Sequence, residues 1–479
     1  MSETPDADRH AEEGDESGAS HVVTAFLRNR GAVLLLRRSD SVGTYAGQWG
    51  GVSGFAEGAP NEQVEVEIRE ETGLERDAVT LVRSGRPVEF VDADLDREWV
   101  VHPYLFDCET RDVELSEEHD DFEWVAPTET LEAVAGRKTV PELWTAYERV
   151  APTVRSIAAD DEHGAAYLSV RALEILRDRA GLLVAERAEN ETQSSPRDGD
   201  RGLHGSAGEY GGEWDELAEL ASRLLEARPS MAVLRNRVNR VMADSTGSEK
   251  GASAVLESAL SGIDRALAAD MDAANNAAER LEGSIATLSR SGTVFDAIRE
   301  GEPSHSFVAE SRPAREGIGV AERFAETVDG AVTVHTDAAA AHVLASEEID
   351  RVVVGADTVL PDGSVVNKAG TRALAIAADR EGIPLSVVAA TDKISTRGNV
   401  NLESGDRTAI YDGDAPVDVL NPTFDVTPAD CVTEVVTERG SLESGEITTV
   451  AEELRELEEW RDRRGSAEQE TTDRNHSRE

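Results

Sequence analysis

Beyond about residue 305, short apolar runs alternate with amphipathic stretches: FVAES, AVTVHT, DRVVVGADTVL, PLSVVAA and DVLNPTFDVTP. The runs are short and almost continuously apolar, as expected of strands covered on both faces. Strands that alternate with helices build a parallel sheet, so this region is expected to be α/β. Helical patterns occupy 151–186 and resume from Glu213 to about Arg280, placing a helical subdomain ahead of the sheet.

The amino-terminal part reads differently. Residues 1–20 are a solvated acidic tail without an apolar core of signal-peptide type. From His21, VVTAFLRNRGAVLLLRR gives two strand-like runs about an Asn-Arg-Gly turn signal. A Gly-rich stretch from Gly43 to Gly58 leads into the helical segment NEQVEVEIREETGL, which stops at Gly73. Further strand-like runs and a helix around 140–150 complete an α+β unit spanning 21–150. The second unit spans 151–463, with a polar Gly/Ser/Pro-rich flexible insertion at 187–215, and 464–479 form a polar tail.

Charge narrows the partners. Acidic residues number 96 against 48 basic ones, a formal charge of -48, and only four lysines occur: Lys138, Lys250, Lys368 and Lys393. A compact state so charged repels itself unless concentrated salt screens it, which points to a saline cytoplasm of the halophilic archaeal kind. Nucleic acid is not an expected partner, because phosphate backbones need a basic face. No run approaches the 18 apolar residues of a membrane span. Two cysteines, Cys108 and Cys431, fall in different units, so neither a disulfide framework nor a Cys-based metal site is expected.

Glu67, Glu70 and Glu71 are spaced i, i+3, i+4 and share one helix face. Three carboxylates on one face suit a hard cation such as Mg²⁺ or Mn²⁺ bridging a diphosphate. In a chain about one-fifth acidic such spacing recurs by chance, so context must carry the reading. That context is GQWGGVSGFAEGAPNEQVEVEIREETGL, which resembles the Nudix box. The resemblance implies a Nudix fold and metal-dependent hydrolysis of nucleoside diphosphate compounds, with Glu67, Glu70 and Glu71 as catalytic and metal-binding residues. The chain departs from the box at two places: its Arg falls on Val66 and its first Glu on Gly58, with Glu57 one residue away. A domain that has lost hydrolysis would serve as a nucleotide or ligand sensor. Glu117 or Glu118 either adds a further ligand or belongs to a solvated acidic loop.

In the larger unit, Asp357 follows VVVGA at the carboxyl end of a presumed central strand, where open α/β sheets bind ligands. Its alternative is a helix cap. Asn367-Lys368-Ala369-Gly370-Thr371 is expected to open a helix whose terminal amides favour a phosphate. Lys393 follows the strand LSVVAA and would reach the same rim, so two of four lysines meet there. Ala227-Arg228-Pro229-Ser230, TLSRSGTV from Thr287, Glu310-Ser311-Arg312-Pro313, VVVGADTVLPDGSVVNKAGT, Thr391-Asp392-Lys393-Ile394 and FDVTPAD with TERG stand in the order found in one family. They resemble initiation factor 2B alpha/beta/delta subunits, ribose-1,5-bisphosphate isomerase and methylthioribose-1-phosphate isomerase.

That resemblance implies a Rossmann-like parallel sheet, a homodimer or higher homo-oligomer, and a phosphorylated sugar or nucleotide as ligand. It puts Gly164, Arg228, Asn367, Lys368 and Lys393 at substrate-binding positions and Asp357 at a catalytic one. Ser289 stands where the isomerases carry their catalytic Cys, with Leu288 in place of a His. An unactivated hydroxyl lacks the near-neutral titration of a thiol, and no activating His is evident in the sequence. The leading expectation is therefore a fused protein that binds a phosphometabolite and carries a Nudix domain. The alternatives are a ribose-1,5-bisphosphate isomerase acting through Asp357 and a non-catalytic, translation-associated regulatory subunit.

Overall fold

The computed structural model describes residues 19–56, 58–160, 162–193, 207–246, 251–400 and 402–461. The acidic and polar tails lie almost wholly outside these residues, as do 194–206 of the expected insertion, Glu57 and Lys250. Two compact units meet in sequence between Ala151 and Pro152.

In the first unit, β1 (Ser20–Asn29), β2 (Ala32–Arg38), β3 (Trp49–Gly50) and β4 (Val52–Phe55) precede α1 (Pro60–Thr72). β5 (Val79–Ser84), β6 (Val88–Asp92), β7 (Arg97–Cys108) and β8 (His119–Val125) follow, then α2 (Glu132–Ala135) and α3 (Leu143–Glu148). All eight strands join one mixed sheet, with β1 parallel to β7 and antiparallel to β2 and β4. Alternation along the strands sorts two apolar layers. Val23, Ala25, Leu27, Tyr104 and Phe106 meet Val64 and Ile68 of α1 on one face. Phe26, Val101 and Leu105 meet Leu143 and Tyr147 of α3 on the other. Pro60 opens α1, and Gly73 closes it at φ 69°, a left-handed cap that suits glycine.

The second unit begins with α4 (Val154–Ala159), α5 (Ala165–Gln193), α6 (Ala207–Ala227), α7 (Ala232–Asp244) and α8 (Ala252–Ala278). The stretch expected to be helical from 151 to 186 is thus broken. The Asp160 carboxylate accepts the amides of Glu162 and His163 at 3.1 and 2.8 Å, and this local turn interrupts the helix ahead of Gly164. The expected insertion is helical at both its ends.

Sheet-forming segments then alternate with helices: β9 (Ser284–Leu288), α9 (Gly292–Gly301), β10 (His305–Ala309), α10 (Glu316–Thr327), β11 (Ala331–His335), α11 (Ala340–Ser346) and β12 (Arg351–Gly355). After them come β13 (Thr358–Val359), β14 (Val365–Lys368), α12 (Thr371–Glu381), β15 (Leu385–Val388), β16 (Phe424–Thr427), β17 (Glu434–Thr437), β18 (Gly440–Leu442) and α13 (Ser444–Glu456). The main sheet runs β11-β10-β9-β12-β15-β17-β18, parallel except for its last pair. The chain winds outward from β9 to β11 and then returns to lay β12 against β9. Strand order therefore reverses between β9 and β12, and a crevice opens beyond their carboxyl ends. A small antiparallel sheet, β13-β14-β16, stands beside that end. Among the described residues no helix is long and apolar enough to cross a membrane.

Candidate functional site

On α1 of the first unit, helical spacing separates the three acids. Glu71 is buried, its Oε2 accepting the Ser53 amide at 3.0 Å. Glu67 lies against Gly54, so closely that a Cβ there would overlap its carboxylate, and its Oε1 accepts from Gln63 Nε2 at 2.7 Å. Glu70 stays exposed. The structure thus brings Glu67 and Glu71 onto Ser53 and Gly54 of β4 and leaves Glu70 facing water. Burial pushes the Glu71 carboxyl well above its ordinary range; the Ser53 amide and Arg38 oppose this, while the Glu67 and Glu118 charges add to it. Of the two acids considered in the loop before β8, Glu118 is the one felt at Glu71. Among the described residues no three carboxylate, imidazole or thiolate groups stand close enough to hold a metal ion between them.

In the second unit, Ser289 follows β9 and Asp357 follows β12, so the two residues expected to be catalytic leave the carboxyl ends of neighbouring parallel strands. Asp357 is half-buried at the carboxyl end of β12. Burial raises its pKa, Lys393 and Lys368 pull it down, and Glu403 and Glu316 push it up again. Lys368, Lys393 and Asp357 are thus near enough to act on one another.

Each lysine is held differently. Lys368 ends β14, and its Nζ lies 2.9 Å from Glu316 Oε1. Lys393 is 6 % exposed and forms no ion pair within 4.0 Å among the described residues. Its segment is fixed from α7: Asn236 Nδ2 donates to the carbonyls of Asp392 and Ile394 at 2.8 and 2.7 Å. Asp392 itself lies between Arg237 and Arg240, at 3.2 and 3.0 Å.

The expected phosphate cradle at a helix start is not available. Asn367 and Lys368 belong to a strand, and α12 begins only at Thr371. Its first amides are taken by Asp425, whose carboxylate accepts from Gly370 at 2.7 Å and Arg372 at 3.1 Å. An anion already caps that terminus, so a second one would be repelled. Asn367 is buried and donates to Thr371 Oγ1 at 3.0 Å, which orders the turn behind Lys368.

Gly164 is exposed at the start of α5. Its loop is joined to the Ser289 loop by Arg290, which donates to the Glu162 carbonyl at 2.6 Å. Arg228 donates to the carbonyls of Ile157 and Asp160, so it braces the α4–α5 turn. Two residues on, Ser230 Oγ donates to Glu403 at 3.3 Å, which puts this loop beside a charge felt at Asp357.

Ser289 adopts φ 67°, a left-handed conformation unusual for a residue with a Cβ. Its amide donates to Ser311 Oγ at 2.7 Å; Ser311 has φ 63° and is anchored through its amide to Asp337 at 2.8 Å. The Ser289 hydroxyl donates to Glu316 Oε1 at 3.1 Å. No histidine is hydrogen-bonded to this hydroxyl among the described residues; its partner is the Glu316 carboxylate. Sequence reasoning missed Glu316, Glu403 and Asp425. Only proximity of Glu316 to the Glu310–Pro313 motif hinted at it, and in so acidic a chain that hint is weak.

A carboxylate-bearing helix on a mixed sheet, followed by a seven-stranded, mainly parallel sheet whose order reverses between β9 and β12, defines a chain of an α+β unit and an α/β unit. The chain belongs to the initiation factor 2 subunit family, whose family model matches residues 161–444, and a NUDIX domain precedes this region at residues 19–143. It is 34% identical to ribose 1,5-bisphosphate isomerase of Haloferax volcanii over 256 residues, 50% of this chain and 78% of that protein. Identity to the protein of the same name from Haloterrigena turkmenica is 31% over 337 residues, covering 64% and 94%. Methylthioribose-1-phosphate isomerase of Pseudomonas aeruginosa is 36% identical over 177 residues, 33% of this chain and 48% of that one. Among solved structures, translation initiation factor eIF-2B of Pyrococcus horikoshii is 26% identical and superposes with a TM-score of 0.48, covering 60% of this chain and 94% of that one.

Proposed function

We propose that the larger unit binds a phosphorylated sugar or nucleotide in the crevice between Ser289 and Asp357, on a Rossmann-like sheet. Lys393 and Lys368 meet the phosphoryl oxygens, with Asn367, Arg228 and Gly164 shaping the surrounding loops. One observation carries this reading: Lys393, 6 % exposed, forms no ion pair within 4.0 Å among the described residues, and its charge is felt at Asp357. Burying such a charge is costly unless an anion completes it. Calorimetry in multimolar KCl should show heat for at least one of ribose 1,5-bisphosphate, methylthioribose 1-phosphate and AMP. No heat for any of the three overturns the proposal. The salt reflects the saline cytoplasm inferred from a charge of -48, and assembly into a homodimer or larger homo-oligomer is part of the same reading.

Isomerisation of the bound sugar phosphate is a second reading. It is supported by the two relatives named ribose 1,5-bisphosphate isomerase and by Asp357 at the carboxyl end of β12, within reach of both lysines. Ribulose 1,5-bisphosphate should form from ribose 1,5-bisphosphate, and Asp357→Asn should abolish it. Ketose formation undiminished in that variant sinks the assignment of Asp357.

For the smaller unit the proposed activity is hydrolysis of a nucleoside diphosphate compound with Mg²⁺ or Mn²⁺. Mg²⁺ commonly takes one or two protein carboxylates and fills its shell with water and substrate phosphates. Glu67 and Glu71 supply such a pair, with Glu70 one turn away in water, and a cation would offset the burial, and the lesser Glu67 and Glu118 charges, that disfavour ionisation of Glu71. When bound, the cation neutralises phosphate oxygens and activates a water. The chain's own part is to hold Glu67 against Gly54 and Glu71 on the Ser53 amide. Gly54→Ala is therefore expected to displace the Glu67 carboxylate, a flexible side-chain end, with little loss of stability. Metal-dependent hydrolysis should fall about 10²-fold, as a 1 Å misplacement does elsewhere. Hydrolysis unchanged in Gly54→Ala, with a wild type that is active, would remove Glu67 from the mechanism.

A further inference from the structure

We propose that Glu316 performs the proton transfers of the isomerisation, with the Ser289 hydroxyl as the relay between it and the sugar. This rests on the isomerase reading above and names the group that replaces a thiol. Three elements converge on one oxygen: Glu316 Oε1 accepts from Ser289 Oγ at 3.1 Å and from Lys368 Nζ at 2.9 Å. Neither partner is placed loosely. Ser289 is locked in its left-handed conformation by Ser311, so its hydroxyl has a defined direction at the end of β9. Glu316 opens α10, and the next residue, Gly317, packs so tightly on Ala309 and Ser311 that a side chain there would strike the β10 end. The Glu316 side chain is 14 % exposed.

The second proton-handling group is Asp357 across the crevice. Burial favours its protonated form against the pull of the two lysines, so it can act as an acid. In the forward step the C2–H bond breaks, its electron pair forms C1=C2, and the C1–O4 ring bond opens. O4 takes the Asp357 proton, and Ser289 Oγ takes the C2 proton while passing its own to Glu316. In the second step the C2 hydroxyl gives its proton to Asp357 as C2=O forms. The C1=C2 pair then takes a proton at C1 from Ser289, which Glu316 resupplies. Both residues end as they began, and no oxidant or reductant is required.

The test compares wild type, Glu316→Gln, Ser289→Ala and the double variant Ser289→Cys/Glu316→Gln, with ribose 1,5-bisphosphate as substrate. Each single variant should lose about 10²-fold in kcat, while calorimetric Kd for the substrate stays within about threefold. The double variant should recover activity over Glu316→Gln with its pH optimum moved upward, because a thiol titrates near pH 8.5. Substrate deuterated at C2 should carry that label to C1 of the product, because the proton Ser289 returns to C1 is the one it took from C2. Wild-type kcat in Glu316→Gln, loss of binding in step with kcat, no recovery by the thiol, or complete loss of the C2 label from C1 would each overturn the proposal while leaving isomerisation standing. A wild type that binds ribose 1,5-bisphosphate and yields no ketose overturns the isomerase reading and this inference together.

Discussion

Lys393→Met is expected to weaken binding of ribose 1,5-bisphosphate by about 10²–10³-fold, the largest loss from any single residue in the crevice. Removing one member of a buried charge pair costs about 3–5 kcal/mol, and each 1.4 kcal/mol is about tenfold in affinity. Lys393 qualifies because it is 6 % exposed and its ammonium would complete its pairing only with the ligand. Lys368 does not qualify to the same degree. Its side chain is 26 % exposed and already engaged with Glu316, so Lys368→Met should cost about tenfold. The unliganded protein supplies a second sign: Lys393 forms no ion pair within 4.0 Å among the described residues, so its deletion should lower the melting temperature far less than loss of the doubly paired Asp392 does. Calorimetry and thermal melts in multimolar KCl read both quantities. Binding of Lys393→Met within about threefold of wild type would exclude Lys393 from the anion site.

The contrast between these lysines shows what the amino-acid order conveys. Their scarcity marked both, and strand–helix alternation put Asp357, Lys368 and Lys393 at one sheet end; in the structure Asp357 feels both lysines. Alternation also gave the parallel sheet, because a strand buried on both faces has little room for polar residues. What the order could not convey was who answers each charge. Glu316 reaches Lys368 across 52 positions, and Asp425 reaches the α12 amides across 55, so neither pairing leaves a local periodicity. The helix-start phosphate site failed for this reason: the Asn-Lys-Ala-Gly-Thr stretch looked like a free terminus until a distant carboxylate was found on it. In the smaller unit the i, i+3, i+4 pattern located a helix face correctly but could not say that Glu71 turns inward and Glu70 outward. That depends on the Ser53 amide and Gly54, which come from a strand folded back over α1.

Asp392→Asn should be among the most destabilising substitutions in the larger unit, at about 3–5 kcal/mol, because it removes the buried charge that Arg237 and Arg240 share. The Asp392 carboxylate, 5 % exposed, bonds Arg237 and Arg240 at 3.2 and 3.0 Å. Arg237, 2 % exposed, also reaches Ser169 Oγ at 2.9 Å and Asp270 at 3.2 Å, so the loss spreads to α5 and α8. For a unit of this size the melting temperature should fall on the order of 10 °C. The pH dependence has a definite sign. Burial opposes ionisation of Asp392, but Arg237 and Arg240 outweigh it and hold the carboxyl below the usual range. A depressed carboxyl contributes stability that is fully present above its unfolded value of about 3.9 and is lost as the pH falls through the lower, folded value. Wild type and Asp392→Asn should therefore differ most near neutrality and converge below about pH 4. Because Asp392 adjoins Lys393, the variant should also bind ribose 1,5-bisphosphate more weakly than its stability alone would dictate. A melting point within about 2 °C of wild type at neutral pH would show that Asn236, through its two bonds to the backbone, holds Lys393 in place without the ion pairs.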